Sequence, residues 1–241
     1  MRSNKRVIVA LDVETSSEAL ELVSDLRDEA AAFKIGLQLF TAAGPDLVRN
    51  IATENQVFLD LKFHDIPNTV AKAGVEAARL GVWMFNVHVA GGSEMMRKTV
   101  ADVTDFCSRE NRRRPLILGV TVLTSSDANT LAEIGIERST DAQVIDLANL
   151  ASDCGLDGVV ASPAEAARIR AAVDNKEFLI VTPGVRPKFA TNDDQKRVTT
   201  PRQAILEGSD YLVIGRPILQ AKDRVAELRT IREEIESAEN G

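Results

Sequence analysis

Short apolar runs rich in Val, Ile, Leu and Phe recur along the chain, separated by longer segments whose apolar positions repeat with helical period. The runs span residues 7–11, 32–35, 57–61, 82–87, 116–122, 158–160, 178–181 and 211–214. They are almost continuously apolar, the pattern of strands covered on both faces. Between them, Thr15 and Glu18 form a capping-box pattern, and Ala19, Leu22, Val23 and Leu26 follow on one helical face. Ser162-Pro163 and Thr200-Pro201 each join a good N-cap to a proline at the first helical position. A last helix is expected from about residue 217 to 236, with Val225, Leu228, Ile231 and Ile235 facing inward. Eight strand–helix alternations predict an α/β fold, a single-domain (β/α)8 TIM barrel over residues 1–241. A doubly wound open sheet is the alternative, but no G-x-G-x-x-G follows the first strand. No linker, repeat or low-complexity tract interrupts the alternation.

Composition narrows the class. The 241 residues suit one such barrel, which typically takes about 250. A 44% hydrophobic and 27% charged chain is an ordinary globular one, not a disordered one. Its net charge of −7 argues against a nucleic-acid partner, while leaving room for a local basic pocket. No apolar run approaches the ~18 residues that span a bilayer, and the apolar stretch after the basic start is too short for a signal-peptide core. A cytoplasmic protein with no membrane partner is expected. Cys107 and Cys154 show neither C-x-x-C spacing nor a metal-ligand cluster, and read as reduced, buried thiols.

In such a barrel the active site lies at the C-terminal ends of the strands. Those ends carry Asp12, Lys34, Asp60 with Lys62, His88, Thr121 to Thr124, Ser162, Pro183 to Arg186, and Gly215-Arg216. Unpaired buried charge is costly, so these groups should pair with one another and with a ligand. For any one of them alone, a solvated rim position is the alternative. Strand alternation puts Asp60 and Lys62 on one face, toward the barrel interior, with Leu59 and Leu61 on the other. Asp65 follows on the turn before a helix opened by Pro67. A lysine between two carboxylates stays protonated, ready to donate a proton and to stabilise developing negative charge. Arg186 and Arg216 lie in the loops after the seventh and eighth strands, beside Gly and Pro, where barrels of this kind hold phosphate. The polar, aperiodic segment at about 184–201 reads as a lid over that site.

The run Asp60-Leu61-Lys62-Phe63-His64-Asp65-Ile66-Pro67-Asn68-Thr69 resembles the signature of the orotidine 5′-phosphate decarboxylase family. The resemblance extends along the chain through Ala10-Leu11-Asp12, Phe33-Lys34-Ile35-Gly36, Val120-Thr121-Val122-Leu123-Thr124-Ser125, Thr182-Pro183-Gly184-Val185-Arg186-Pro187 and Val213-Ile214-Gly215-Arg216-Pro217. It implies decarboxylation of orotidine 5′-monophosphate to uridine 5′-monophosphate, the last step of de novo pyrimidine synthesis, with no metal and no organic cofactor. By that resemblance Lys62 would stabilise and protonate the C6 carbanion, within a charge array of Lys34, Asp60, Lys62 and Asp65. Asp60 would lie beside the substrate carboxylate, and Lys34 would pair with Asp60 and touch the ribose. Asp12 would bind the ribose hydroxyls, and Thr124 would lie near the pyrimidine. Pro183 and Gly215 would join the substrate contacts, Arg186 and Arg216 would hold the phosphate, and Gln195 would bridge phosphate and base. Asp65, Ile66 and Thr69 would enter the site of the neighbouring subunit, making the working unit a homodimer.

Two other readings stay open. One is a Mg²⁺-dependent phosphosugar barrel, such as a 3-keto-L-gulonate 6-phosphate decarboxylase or a hexulose-phosphate synthase. The other is a barrel that binds a nucleotide without catalysis. Trp83 and the Met95-Met96 pair are expected to pack rather than to stack on a ligand, and His64 to be structural. His88 should lie in the core or behind the pocket. Arg112-Arg113-Arg114 should form a solvated turn on the barrel's opposite, stabilising face.

Overall fold

The computed structural model describes residues 5–187 and 199–239. Eight parallel strands close into a barrel in chain order: β1 (Val7–Ala10), β2 (Ala32–Gly36), β3 (Val57–Phe63), β4 (Met84–His88), β5 (Leu116–Val120), β6 (Gly158–Val160), β7 (Leu179–Pro183) and β8 (Tyr211–Ile214). Closure comes from β1 pairing with both neighbours, Ile8 opposite Ala32 on one side and Val213 on the other. Around it run α1 (Ser16–Leu26), α2 (Leu37–Ala52), α3 (Pro67–Arg79), α4 (Gly92–Arg109), α5 (Ala128–Glu133), α6 (Thr140–Asp153), α7 (Pro163–Ala172), α8 (Pro201–Leu206), α9 (Arg216–Leu219) and α10 (Arg224–Glu239). This is the expected single-domain (β/α)8 barrel.

Alternation within each strand divides the apolar residues between two cores. Ile8, Ala32, Phe58, Met84, Leu118 and Val213 fill the barrel itself. Val7, Val9, Phe33, Leu59 and Phe85 point outward, into the layer beneath the helices. Both faces are therefore dry, and the strand runs lose the polar alternation of a half-exposed sheet. The helix starts follow local chemistry. The Thr15 N–H donates to Glu18 Oε2 at 3.1 Å while Thr15 Oγ1 accepts from the Glu18 N–H at 3.3 Å. The Ser162 N–H donates to Glu165 Oε2 at 2.8 Å, and Thr200 Oγ1 accepts from the Gln203 N–H at 3.2 Å.

Several boundaries differ from the sequence reading. The last helix is two helices, because Asp223 starts a new one by accepting from the Ala226 N–H at 2.9 Å. Leu228, Ile231 and Ile235 are buried as expected, whereas Val225 is only partly covered. Strand β4 begins at Met84 rather than at residue 82, and β5 stops at Val120 rather than at 122. Met95 and Met96 are fully buried packing residues. Cys107 and Cys154 are buried free thiols, and burial raises both above their ordinary pKa. Among the described residues no helix is long and apolar enough to cross a membrane. Of the segment expected to form a lid, residues 188–198, including Gln195, lie outside the described residues.

Candidate active site

The C-terminal end of β3 is irregular. Lys62 has φ of +51°, in the left-handed region, and the β3–β4 register shifts between Leu59 and Phe63. Simple alternation therefore does not place Lys62; a bulge does. A left-handed non-glycine residue costs roughly 1–2 kcal/mol, and the surroundings must hold it there. Asn86, on β4 and 0% exposed, does so: its Oδ1 accepts from the Lys62 N–H at 2.8 Å. The same amide donates through Nδ2 to Asp60 Oδ1 at 2.7 Å. The Lys62 ammonium returns to Asp60, with Nζ 2.7 Å from Oδ1. Asn86 was absent from the expected site residues. Its signal was one amide in the otherwise apolar run Met84-Phe85-Asn86-Val87, since a buried amide needs partners.

Lys34, from β2, reaches across to Asp12 Oδ1 at 3.2 Å and to Asp60 Oδ2 at 3.7 Å. Glycines keep this crowding possible. A Cβ on Gly36 would lie 3.1 Å from Lys34 Nζ, and one on Gly215 would lie 3.0 Å from Asp12 Oδ2. The charge order differs from the expectation for a single chain: Lys62 meets one carboxylate, Asp60, while Lys34 is the lysine that lies between two, Asp12 and Asp60. Burial alone would raise the Asp60 pKa. Lys34 and Lys62, with hydrogen bonds from Lys62 and Asn86, outweigh burial and hold it below the usual carboxylate range.

Asp65 does not join this cluster within its own chain. It is exposed and its Oδ1 accepts from the adjacent Ile66 N–H at 2.6 Å. Ile66, 67% exposed, and Thr69 likewise lie on the surface, at the start of α3. Asp12, Lys34, Asp60, Lys62, Thr124 and Pro183 do come together. Lys34, Asp60 and Lys62 stand at the junction of two cavities of about 190 Å³ each. One has Asp12, Gly36 and Gln38 on its wall. The other is mainly apolar, with Phe58, Val120, Leu123, Thr124, Pro183 and Val213. Arg186 follows β7, its backbone N–H donating to the Thr199 carbonyl at 3.2 Å, and exposed Arg216 opens α9 beside Gly215. Among the described residues neither guanidinium makes a hydrogen bond or ion pair.

His88, half-buried at the end of β4, is not on the walls of these two cavities, and its ring lies 5.4 Å from that of exposed His64. Burial chiefly, then the neighbouring His64 and Lys62, hold its pKa below the ordinary imidazole value. Thr121 is structural, donating to the Val160 carbonyl at 3.2 Å. Among the described residues no three His, Cys, Asp or Glu side chains group as metal ligands.

Residues 5–231 match the family model described as the orotidine 5′-phosphate decarboxylase / HUMPS family. The chain belongs to that family. A protein of Syntrophotalea carbinolica named orotidine 5′-phosphate decarboxylase is 52% identical over 239 residues, 99% of this chain and 98% of its own. One of Moorella thermoacetica with the same name is 52% identical over 238 residues, covering 98% and 94% of the two chains. In three dimensions, the crystal structure of orotidine 5′-phosphate decarboxylase from Lactobacillus acidophilus superposes with a TM-score of 0.84 at 35% identity, over 96% of this chain and 99% of that one. By these relatives the protein is an enzyme, a carboxy-lyase.

Proposed function

We propose that this member of the orotidine 5′-phosphate decarboxylase family converts orotidine 5′-monophosphate to uridine 5′-monophosphate and CO₂. The observation that carries this reading is Asp60 held between Lys34 and Lys62 on the edge of an apolar cavity. The pyrimidine occupies that cavity near Thr124 and Pro183, with its C6 carboxylate toward Asp60 and Lys62. The bond from C6 to the carboxylate breaks, CO₂ leaves, and the electron pair stays on C6. That pair lies in the ring plane, out of conjugation with the π-system, so preorganised charge has to lower the barrier. Lys62 supplies it as an ammonium and then passes a proton to C6. Asp60 holds that ammonium, and Asn86 the Lys62 backbone N–H, before substrate arrives, which removes reorganisation from the chemical step.

Asp12 and Lys34 take the ribose. Arg186 and Arg216 take the phosphate, because two planar guanidinium groups with no partner among the described residues suit its oxygens. Gly215 gives the backbone room beside it, and Gln195 bridges phosphate to base from the segment at 184–201, which closes over the nucleotide. Asp65, Ile66 and Thr69 serve a partner's site in a cytoplasmic homodimer. Their exposure in one chain, an apolar Ile66 included, supports that role. No cofactor takes part.

The test is the absorbance change on mixing purified protein with orotidine 5′-monophosphate in excess EDTA. Rapid formation of uridine 5′-monophosphate is expected. A folded dimer that is inert with this substrate, but active with a phosphosugar once Mg²⁺ is restored, would overturn the reading in favour of the HUMPS branch.

A further inference from the structure

The opposite end of the barrel holds features that decarboxylation does not use. Trp83, just before β4, and Tyr211, at the start of β8, meet edge to face with ring centroids 5.1 Å apart. They are the chain's single tryptophan and single tyrosine, both half-buried and packed on the inner barrel core. Over them opens a cavity of about 490 Å³, with Lys5, Arg27, Gln56 and Arg113 on its walls beside the two rings. An adjoining cavity of about 310 Å³ shares Gln56, Trp83 and Arg113, and adds Arg112 and Arg114. Each is larger than either cavity at the mouth.

Charge here runs against the rest of the molecule. The chain carries −7 overall, yet five cationic side chains gather around this pair of cavities. Of these, Arg27 and Arg114 are paired: Glu54 lies 3.4 Å from Arg27, and Asp157 holds Arg114 at 2.8 Å. Arg112 and Arg113 are exposed, and their guanidinium groups make no hydrogen bond or ion pair among the described residues. Adjacent guanidinium groups repel, and an anion between them removes that cost. An edge-to-face pair also leaves one ring with both faces uncovered by its partner, a surface on which a base can stack. Asn55 and Gln56 line the same wall; the Asn55 amide donates to the Ile51 carbonyl at 3.3 Å, and Gln56 is the residue able to meet the polar edge of a base.

We propose that this N-terminal face is a second ligand site, for a nucleoside di- or triphosphate. The base lies against Trp83 and Tyr211, and the phosphates lie on Arg112 and Arg113. The cavity volume falls within the range of about 300–1,000 Å³ usual for small-molecule sites. Fork-shaped guanidinium groups are the donors that polyphosphate recognition favours. The site shares no residue with the mouth and does not depend on which reaction occurs there.

Because Trp83 is the only tryptophan, its emission reports on this site alone. The full-length protein is titrated with ATP under selective tryptophan excitation, with calorimetry as the second measurement. Saturable quenching is expected, unaffected by saturating uridine 5′-monophosphate and retained in Lys62→Ala. The double variant Arg112→Ala/Arg113→Ala, confirmed folded by circular dichroism, should bind ATP at least about tenfold more weakly. Inorganic tripolyphosphate should bind more weakly than ATP. No saturable response would overturn the proposal, as would an undiminished response in the double variant or competition by uridine 5′-monophosphate. Tripolyphosphate binding as tightly as ATP would also overturn it, by removing the aromatic wall from the recognition.

Discussion

At the N-terminal end of the barrel, Asp157 accepts from the Arg114 guanidinium at 2.8 Å and from the Ile117 N–H at 2.7 Å. Asp210 repeats the device, pairing with Arg170 and accepting from the Ile180 N–H at 2.8 Å. At the C-terminal end, Asp60 takes its hydrogen bonds from two side chains, Lys62 and Asn86, and faces a second ammonium on Lys34. The residue types are similar and the consequences differ. One carboxylate, one arginine and one strand N–H form a closed set that pins a neighbouring strand. A carboxylate shared by two lysines, one of them on a left-handed bulge, keeps positive charge at the edge of a cavity. The first arrangement is complete without a ligand; the second is built to meet one.

The largest expected break in that comparison comes from Lys62→Ala. Turnover should fall by about 10²–10³-fold or more, the usual cost of removing a preorganised charge from a transition state. The variant should remain folded and still bind uridine 5′-monophosphate, checked by circular dichroism and calorimetry. Unfolding would make Lys62 a lock of the Asp157 kind. Next in size, Arg216→Ala should raise KM by roughly 10–100-fold through loss of a charge-assisted contact. Turnover of a substrate lacking the phosphate should barely change, and equal damage to both substrates would remove Arg216 from the phosphate site.

The complementary change at the other end is Asp157→Asn. It should cost about 2 kcal/mol of stability, the scale of hydrogen bonds to a charged group, while kcat stays at the wild-type value. Urea denaturation and steady-state kinetics measure the two arms. A loss of activity without a loss of stability would erase the distinction between the barrel ends.

The smallest effect concerns His88. Its folded pKa is depressed, first by burial and then by His64 and Lys62. Just below the unfolded value near 6.5, the unfolded chain therefore binds more protons. The stability due to neutral His88 is present above that value and is lost as pH falls through it toward the folded one. His88→Asn should accordingly show a shallower fall in Tm than the wild type between about pH 7.5 and 5.5. Parallel curves for the two proteins would remove His88 from the acid response.

Much of this architecture was legible along the chain. The eight apolar runs become the eight strands, and the Thr15–Glu18 box starts a helix whose predicted inward residues are all buried. These are local matters of period and capping. The split of the final helix was also local, but the signal was a single Asp223 competing with an unbroken apolar stripe. The bulge at Lys62 was not legible, because a period of two presumes ideal strand geometry. Arg114 was read as part of a solvated turn, yet it is a half-buried partner of Asp157, 43 residues away. Asn86 carried a signal only as an exception in an apolar strand.

By itself, the sequence determined the strand–helix order, the helix starts, the division of apolar residues between two cores, and which strand ends carry charge. Those follow from interactions within a few residues. Only the tertiary structure decided that Lys34 meets Asp12, 22 residues away, and that Asn86 meets Asp60, 26 residues away. It also decided that Asp60 and Lys34, rather than Lys62, are flanked by opposite charges within one chain, and that Asp65 faces outward. Barrel closure sets those distances, because register between neighbouring strands, rather than separation along the chain, fixes which side chains share the mouth.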